Sequence, residues 1–301
     1  IDRFIQLAKP GGWVAVIIPD GILTNSNTHY VRDFISNKAK IEAIVSLPRD
    51  TFKNAGTNAK TSILFLRKLK KEVEIENYYP VFLASINAIV KNQFDLIVKS
   101  YEKIYNLGEN NMDNSDLIQI TTDQSKKEIV MVRVDKTLRQ LMDEKPASRW
   151  NPNYWHPKYD DIYRDINFTL LPLKQYIEDV QGGGGGSHFS AFLGDKWDDQ
   201  GHYATYLHIS ALMDTGVNWV DAKYVDQKTY RRLITKQLRE RDILLSNKGT
   251  IGKSVVVSKN YPKTIVGDTR VIRVKGINPF YVCIYFKSKY GKSLSERYKS
   301  G

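Results

Sequence analysis

The sequence of 301 residues contains a single cysteine, Cys283. One cysteine excludes an internal disulfide and a cysteine zinc cluster, and it is typical of a protein that works in a reducing compartment. The sequence also lacks a secretory signal peptide and any apolar run long enough to cross a membrane. These absences predict a cytoplasmic protein with no membrane partner.

Metal-binding and hydrolytic patterns are missing as well. The histidines show no i, i+4 pairing with one another and no cysteine at the spacing of metal ligands, so no metal site is predicted. No Ser/His/Asp arrangement and no carboxylate-lysine nuclease core is discernible. We therefore expect no cleavage activity from this chain.

Positive charge is what the sequence has in excess. The formal net charge is +12 and the isoelectric point is near 9.4. Lysine and arginine are spread along the chain without a basic tail, which favours a folded surface for a polyanionic partner over a disordered arm. The length, with a hydrophobic content of 42%, favours two domains.

The N-terminal third has an α/β pattern. Residues 1–8 carry a helical apolar stripe that starts without a Met or a leading loop, so we expect the chain to begin partway through a larger domain. The apolar spacing then predicts a strand, a helix and two further strands, and the last two strands are candidates for an antiparallel pair. These elements are Trp13–Ile18, the helix around Val31, Phe34 and Ile35, Ile41–Leu47 and Thr61–Leu66.

A polar loop with a lone aromatic residue, Phe52, joins the last two strands. Its flanking cations are Arg49, Lys53 and Lys60. Two interpretations remain open from the residues alone. Phe52 is either a hydrophobic plug that pins the loop to the core, which base rates favour, or an exposed stacking surface.

The run from Phe4 through LAKPGGWVAVIIPDGIL to VSLPRDTFKNAGTNAKTSILFLRK resembles the later part of the methylation domain of type I and fused type IIG restriction-modification enzymes. These enzymes are adenine-N6 DNA methyltransferases. The resemblance implies that residues 1–145 are the C-terminal part of a Rossmann-like methyltransferase sheet. It also implies that Phe52 stacks on an adenine flipped out of duplex DNA, with Lys53 and Lys60 as DNA contacts.

Two motifs of that family are absent. The family binds S-adenosylmethionine at a Gly-rich turn and orients the target amine with an Asn/Asp-Pro-Pro-aromatic tetrapeptide, and this sequence has neither. The run Asn151-Pro152-Asn153-Tyr154 lacks the second proline and follows the Phe52 loop, so we treat it as coincidence. The isolated chain is therefore predicted neither to hold the cofactor tightly nor to methylate.

The C-terminal half, residues 146–301, opens with the aromatic and basic segment Arg149–Tyr159. This segment is either a stacking patch for single strands or, as we prefer, an aromatic anchor between domains. Apolar spacing predicts a helix around Leu171–Val180. The glycine run at 182–186 has two interpretations, an engineered linker or a natural loop, and the continuity of its flanks favours the natural loop.

This half resembles the α+β target-recognition domain of type I specificity subunits and of fused type II enzymes. The matching motifs are RWNPNYWHPKY, YLHIS, DILLS, GTIGK and INPFY, in that order. Within the loop SNKGTIGKS, two glycines permit close approach to a DNA groove. Candidate phosphate and base contacts there are Asn247, Lys248, Thr250 and Lys253, and the secondary candidates are Lys196 and Arg270.

Together these observations predict part of a restriction-modification enzyme that recognises a duplex sequence and methylates adenine N6 with S-adenosylmethionine. Its partners would be double-stranded DNA and other restriction-modification subunits or the missing N-terminal segment. The alternative is a sequence-specific DNA-binding module without catalysis. A methyltransferase acting on RNA or protein is a third possibility.

Overall fold

The computed structural model describes residues 1–70, 78–107, 117–144, 148–164, 166–167, 169–182, 203–221, 223–233, 238–246, 252–259, 261–267 and 269–298. The chain divides into two compact units, unit 1 (Ile1–Asp161) and unit 2 (Ile162–Lys299). The sequence places the division at residues 145 and 146 instead. The structural division lies later because the segment Arg149–Tyr159 packs within unit 1, and the functional boundary stays a prediction.

Unit 1 is mixed α/β, which confirms the predicted fold class. Its elements are α1 (Asp2–Leu7), β1 (Trp13–Pro19), α2 (Asp20–Thr24), α3 (His29–Lys38), β2 (Ala39–Ser46), β3 (Thr61–Lys68), β4 (Phe82–Ile86), α4 (Lys91–Leu107), β5 (Ile118–Thr122), β6 (Glu128–Arg133), α5 (Leu138–Asp143) and α6 (Lys158–Asp161). The described strands form one sheet in the order β1-β3-β2-β4-β6-β5. Strand β3 runs antiparallel to both β1 and β2, and β4 runs parallel to β2. The carboxyl ends of β1, β2 and β4 therefore lie at the same edge of the sheet.

Helices pack on both faces of the unit 1 sheet. One face packs α1, α2 and α3 on a core that includes Leu23, Ile35, Ile44 and Leu64. The other face carries α4 on a second core, with Ile97 and Ile104 among its buried residues. The apolar faces of α3 and α4 thus pack against the sheet, as expected for amphipathic helices.

Strand β1 is the outermost described strand on its side of the sheet. The strand itself confirms the prediction from the sequence, but only alternate residues are buried. Val14 and Ile18 lie in the core, whereas Trp13 and Ile17 are 50% and 51% exposed. This alternation follows from the period of two along a strand whose second face is uncovered in the described part.

The aromatic segment Arg149–Tyr159 contributes to the core of unit 1. Trp150, Tyr154 and Trp155 belong to the same hydrophobic cluster as Leu23 and Ile44. The guanidinium of Arg133 fixes the segment, donating to the carbonyl of Trp155 at 2.6 Å. Buried rings cannot stack on nucleic acid without unfolding, so the single-strand stacking patch considered from the sequence is wrong, and this segment is an anchor on unit 1.

Unit 2 consists of short strands and helices. These are β7 (Ile177–Gly182), β8 (Ala204–Leu207), β9 (Leu212–Met213), β10 (Gly216–Val217), β11 (Lys223–Val225), α7 (Gln227–Leu233), β12 (Ile243–Ser246), β13 (Ser254–Val256), β14 (Thr264–Val266), β15 (Thr269–Val274), α8 (Pro279–Lys287) and α9 (Lys289–Arg297). The described strands form a sheet ordered β13-β12-β15-β7, a second ordered β11-β8-β14 and the pair β10-β9. Helix α8 begins within the INPFY motif, at Pro279.

The prediction of a helix around Leu171–Val180 is wrong. The structure has a short 3-10 helix, Leu173–Tyr176, followed by strand β7. Strand β7 pairs antiparallel with β15, and Val180 lies opposite Ile272. Apolar residues in a short window fit either period, and the pairing with β15 decides in favour of the strand.

None of the described helices is both long enough and apolar enough to cross a membrane.

Candidate functional site

Three chain segments meet at the carboxyl edge of β1 and β2. Strand β1 ends where Asp20 starts α2, strand β2 ends before Leu47, and the antiparallel strand β3 starts at this same edge after Lys60. Ligands of open α/β sheets bind in the crevice outside the carboxyl ends of the strands. The loop of residues 47–60, the edge loop, is therefore the candidate site of unit 1.

The edge loop is organised by its own backbone. The Lys53 amide donates to the carbonyl of Asp50 at 3.0 Å, and the Ala55 amide donates to the carbonyl of Phe52 at 3.0 Å. A 3-10 turn, Lys53–Ala55, follows Phe52 and ends at Gly56, whose φ of +82° favours glycine. The turn therefore holds the backbone at Phe52 in a defined conformation.

The Phe52 ring is only partly buried. It belongs to none of the hydrophobic clusters that the described residues form. The stretch 53–59 beside it is exposed throughout. The plug interpretation needs Phe52 to pack into the core, and these clusters give it no support, whereas a partly exposed ring at the sheet edge suits a stacking surface.

Asp20 lies beneath the edge loop as a buried carboxylate. Its side chain is 3% exposed and accepts a hydrogen bond from the Ser62 hydroxyl at 2.7 Å. Its backbone amide donates to the carbonyl of Lys60 at 2.8 Å. Burial raises the pKa of the Asp20 carboxyl, opposed by the Ser62 hydrogen bond and by the charges of Lys60 and Arg49.

The Lys60 side chain is directed into the base of the loop. Its ammonium donates a hydrogen bond to the carbonyl of Leu47. Burial lowers the pKa of Lys60, and the charge of Asp20 opposes that effect. The Lys60 ammonium thus already donates a hydrogen bond within the protein, whereas Lys53 is exposed and available to a partner. The DNA contacts expected of both lysines stay predictions.

Of the unit 2 candidates, the structure describes Lys253 and Arg270. Lys196, Asn247, Lys248 and Thr250 lie outside the described residues, as does most of the glycine run. Ser246 at the end of β12 donates its amide to the carbonyl of Lys253 at 2.8 Å, and β12 pairs with both β13 and β15. Lys253 is partly buried and Arg270 is exposed. The structure brings them to the same end of one sheet, on either side of β12.

A basic and aromatic cluster in unit 2 was not predicted from the sequence. The Lys263 ammonium lies 4.0 Å from the ring centroid of Tyr203 and 5.7 Å from that of Tyr230. Lys228 and Arg231 lie close to Tyr230 in the sequence, and both are exposed. The three cluster residues are dispersed over 61 positions of sequence. The parallel pairing of β8 with β14 brings the segments of Tyr203 and Lys263 together, and the pairing of β8 with β11 places α7, which carries Tyr230, next in the chain.

No group of three His, Cys, Asp or Glu side chains in the described part is placed to hold a metal ion. At the carboxyl edge of unit 1, β1 leads directly into α2 with one glycine, Gly21, and β2 leads into the Phe52 loop. These turns do not form the Gly-rich cradle by which nucleotide-like cofactors are held, so we assign no cofactor to them.

Residues 1–122 match the model of the family described as N-6 DNA methylase. A stretch of 71 residues is 34% identical to Defense against restriction protein B of Escherichia phage P1, which covers 24% of this chain and 3% of that protein.

Two solved structures are also similar. One, a protein from Listeria monocytogenes described as a class I S-adenosylmethionine-dependent methyltransferase, is 28% identical over 34% of this chain and 30% of its own, with a TM-score of 0.28. The type IIG restriction endonuclease BpuSI is 10% identical over 97% of this chain and 39% of its own, with a TM-score of 0.39. TM-scores this low do not establish a shared overall fold. The chain spans well under half the length of each of these relatives.

Proposed function

We propose, on the premise that residues 1–122 are N-6 DNA methylase sequence, that this chain supplies the target-base contact and the DNA recognition of an adenine-N6 DNA methyltransferase. The enzyme would belong to a restriction-modification system and work in the cytoplasm. The single observation that carries the proposal is the partly exposed Phe52 ring, outside the described hydrophobic clusters, at the sheet edge where α/β proteins bind ligands.

Phe52 would stack on an adenine that has left the duplex. An enzyme that modifies an exocyclic amine must take the base out of the stack, and unstacking costs a few kcal/mol. Stacking on an aromatic face contributes about 1–3 kcal/mol per base. The contribution of one ring is thus of the same order as the cost of extrusion. A ring held by the turn that follows it loses little further conformational freedom on binding.

Unit 2 would hold the duplex and read its sequence. Lys253 and Arg270 at one end of the β13-β12-β15-β7 sheet would contact phosphates, together with the loop residues Asn247, Lys248 and Thr250. The net charge of +12 supplies the counterion release that drives such binding. A phosphate-contacting lysine is expected to weaken binding to all sequences when replaced, whereas a base-reading residue is expected to relax specificity.

S-adenosylmethionine would be held by residues outside the described part of this chain. The bound cofactor supplies the methyl group in the complete enzyme, and the chain's own part is to position the base. We therefore expect the isolated chain to bind S-adenosylmethionine weakly, and to need residues from outside this sequence for methylation.

The Phe52→Ala variant tests the proposal. The DNA probe is a duplex in which one adenine stands opposite an abasic position, so that the adenine leaves the helix at little cost. Loss of the ring is expected to weaken binding to this probe by about 5- to 150-fold, equivalent to 1–3 kcal/mol of stacking. The fully paired duplex should lose less affinity, and Phe52→Tyr, which keeps the aromatic face, should retain tight binding.

The other possibilities give different outcomes. Equal affinity of wild type and Phe52→Ala for the probe would contradict base stacking, and retained duplex binding would then favour the non-catalytic DNA-binding module. Failure of the wild-type chain to shift any duplex DNA in a mobility assay would favour a methyltransferase acting on RNA or protein.

A further inference from the structure

The base of the edge loop is closed by bonds from three sides. The Leu47 amide donates to the carbonyl of Thr61 at 3.0 Å, where the two strands separate into the loop. The Asp20 amide donates to the carbonyl of Lys60 at 2.8 Å, which attaches the far end of the loop to α2. The Lys60 ammonium donates to the carbonyl of Leu47 and so joins the first and the penultimate positions of the segment from Leu47 to Thr61.

Lys60 is the one side chain among these contacts that connects the two ends of the loop directly. A long loop is costly to order, since each residue fixed in one backbone conformation loses about 1–2 kcal/mol of conformational entropy. The backbone bond from Leu47 to Thr61 closes only the base of the loop. A side-chain bond from Lys60 to Leu47 adds a second point of closure, in a partly buried site where water competes less than at the surface.

The charge beneath the loop explains why a lysine occupies this position. A buried ammonium is unfavourable unless it has an acceptor and a countercharge. The Leu47 carbonyl is the acceptor, and the Asp20 carboxylate supplies the countercharge from beneath. Asp20 is itself held by the hydroxyl of Ser62, which is fully buried. Asp20 and Lys60 therefore stabilise each other's charged forms.

We propose that Lys60 is a positioning residue, whose ammonium bonds the Leu47 carbonyl above Asp20 and thereby holds the edge loop in the conformation that presents Phe52. The effect on DNA rests on the proposed function of Phe52, but the effect on the loop does not. Lys60 thus acts through Phe52, whereas the ammonium of Lys53, on the exposed part of the same loop, makes none of the three contacts that close its base.

Fluorine NMR on the full chain tests the proposal without DNA. Labelling with 4-fluorophenylalanine gives eleven resonances, one for each phenylalanine, and the signal of residue 52 is identified by its loss in Phe52→Leu. In Lys60→Met, which keeps the length of the side chain and removes the ammonium, we expect this signal to sharpen and to move toward the position of the free amino acid. Lys53→Met is the matched control and should leave it unchanged.

Chemical rescue separates the ammonium from general disruption of the fold. Lys60→Cys treated with 2-bromoethylamine regains an ammonium at almost the original position, while the native Cys283 is buried and protected. The rescued protein is expected to recover the wild-type signal of residue 52. A residue 52 signal that is the same in wild type, Lys60→Met and the unmodified Lys60→Cys would overturn the proposal.

The same variants on DNA distinguish the two claims. With both claims correct, Lys60→Met loses affinity for the adenine probe, as Phe52→Ala does, and the double variant loses little more. An altered loop signal with unchanged affinity would contradict base stacking by Phe52 and leave the positioning role of Lys60 intact. An unaltered loop signal with lost affinity would contradict the positioning role, since Lys60 would then act on DNA directly.

Discussion

At the scale of single residues, the candidate site combines a partly exposed ring with a buried carboxylate and a partly buried ammonium. Phe52 stands in the loop after β2, and Asp20 and Lys60 lie at its base. Phe52 is identifiable from the sequence because an aromatic residue is conspicuous in a polar loop. Asp20 is not, because it lies 40 positions from Lys60 and approaches it only through the pairing of β1 with β3.

The buried carboxylate makes a prediction about pH. Burial raises the pKa of Asp20 above 3.8, so the folded protein binds this proton more readily than the unfolded chain does. The contribution of Asp20 to the free energy of unfolding is therefore largest below pH 3.8 and falls as the pH rises to the raised pKa. Asp20→Asn does not titrate, and the stability of wild type relative to this variant should fall across that window.

Urea unfolding of both proteins between about pH 4 and pH 7 measures this difference. The exposed Asp50 of the same loop offers a matched control, since Asp50→Asn removes a carboxylate without the burial. A stability difference between wild type and Asp20→Asn that rises with pH would show that burial is not the dominant influence on this carboxyl.

At the scale of elements, tertiary pairing determined what the local pattern could not. The apolar residues of Ile177–Gly182 fit a helix as well as a strand, and the partner β15 lies about 90 residues later. Strands β2 and β3 were predicted correctly because their apolar runs are long and because they are neighbours in sequence, separated only by the edge loop. Likewise, the aromatic segment after residue 148 was recognised as an anchor, but its place in the unit 1 core was not readable from composition.

The corner between α8 and α9 gives the clearest prediction at this scale. A Cβ atom on Gly291 would lie 2.2 Å from the carbonyl oxygen of Tyr285 and 2.5 Å from the Cα atom of Phe286. Both are backbone atoms, which cannot move aside by a side-chain rotation. Gly291→Ala should therefore lower the free energy of unfolding by about 2 kcal/mol or more, despite the higher helix propensity of alanine.

Gly21→Ala is the matched control in α2. Its Cβ atom meets only the side chain of Asn25, at 3.1 Å, which is free to shift. Urea unfolding of the full chain should show a small change for Gly21→Ala and a large loss for Gly291→Ala. Equal effects of the two substitutions would mean that the corner between α8 and α9 adjusts more easily than its geometry indicates.

At the scale of the whole molecule, the proposed function assigns the base contact to unit 1 and the binding of duplex DNA to unit 2. The α/β class and the methylase resemblance of the N-terminal part were predictable, because ordered motifs there are long and specific. The division into units was not, because it depends on where the chain between residues 145 and 162 packs. The recognition contacts of unit 2 stay predictions, since four of the six candidate residues lie outside the described part.

Photochemical cross-linking measures the contact between Phe52 and the base directly. The probe is the same abasic duplex with 5-iodouracil in place of the unpaired adenine, irradiated with the full chain and digested with trypsin. If the extruded base stacks on Phe52, the nucleotide will be attached to the peptide of residues 50–53, which contains this phenylalanine and ends at Lys53. Efficient cross-linking to other peptides, with none on residues 50–53, would contradict the account.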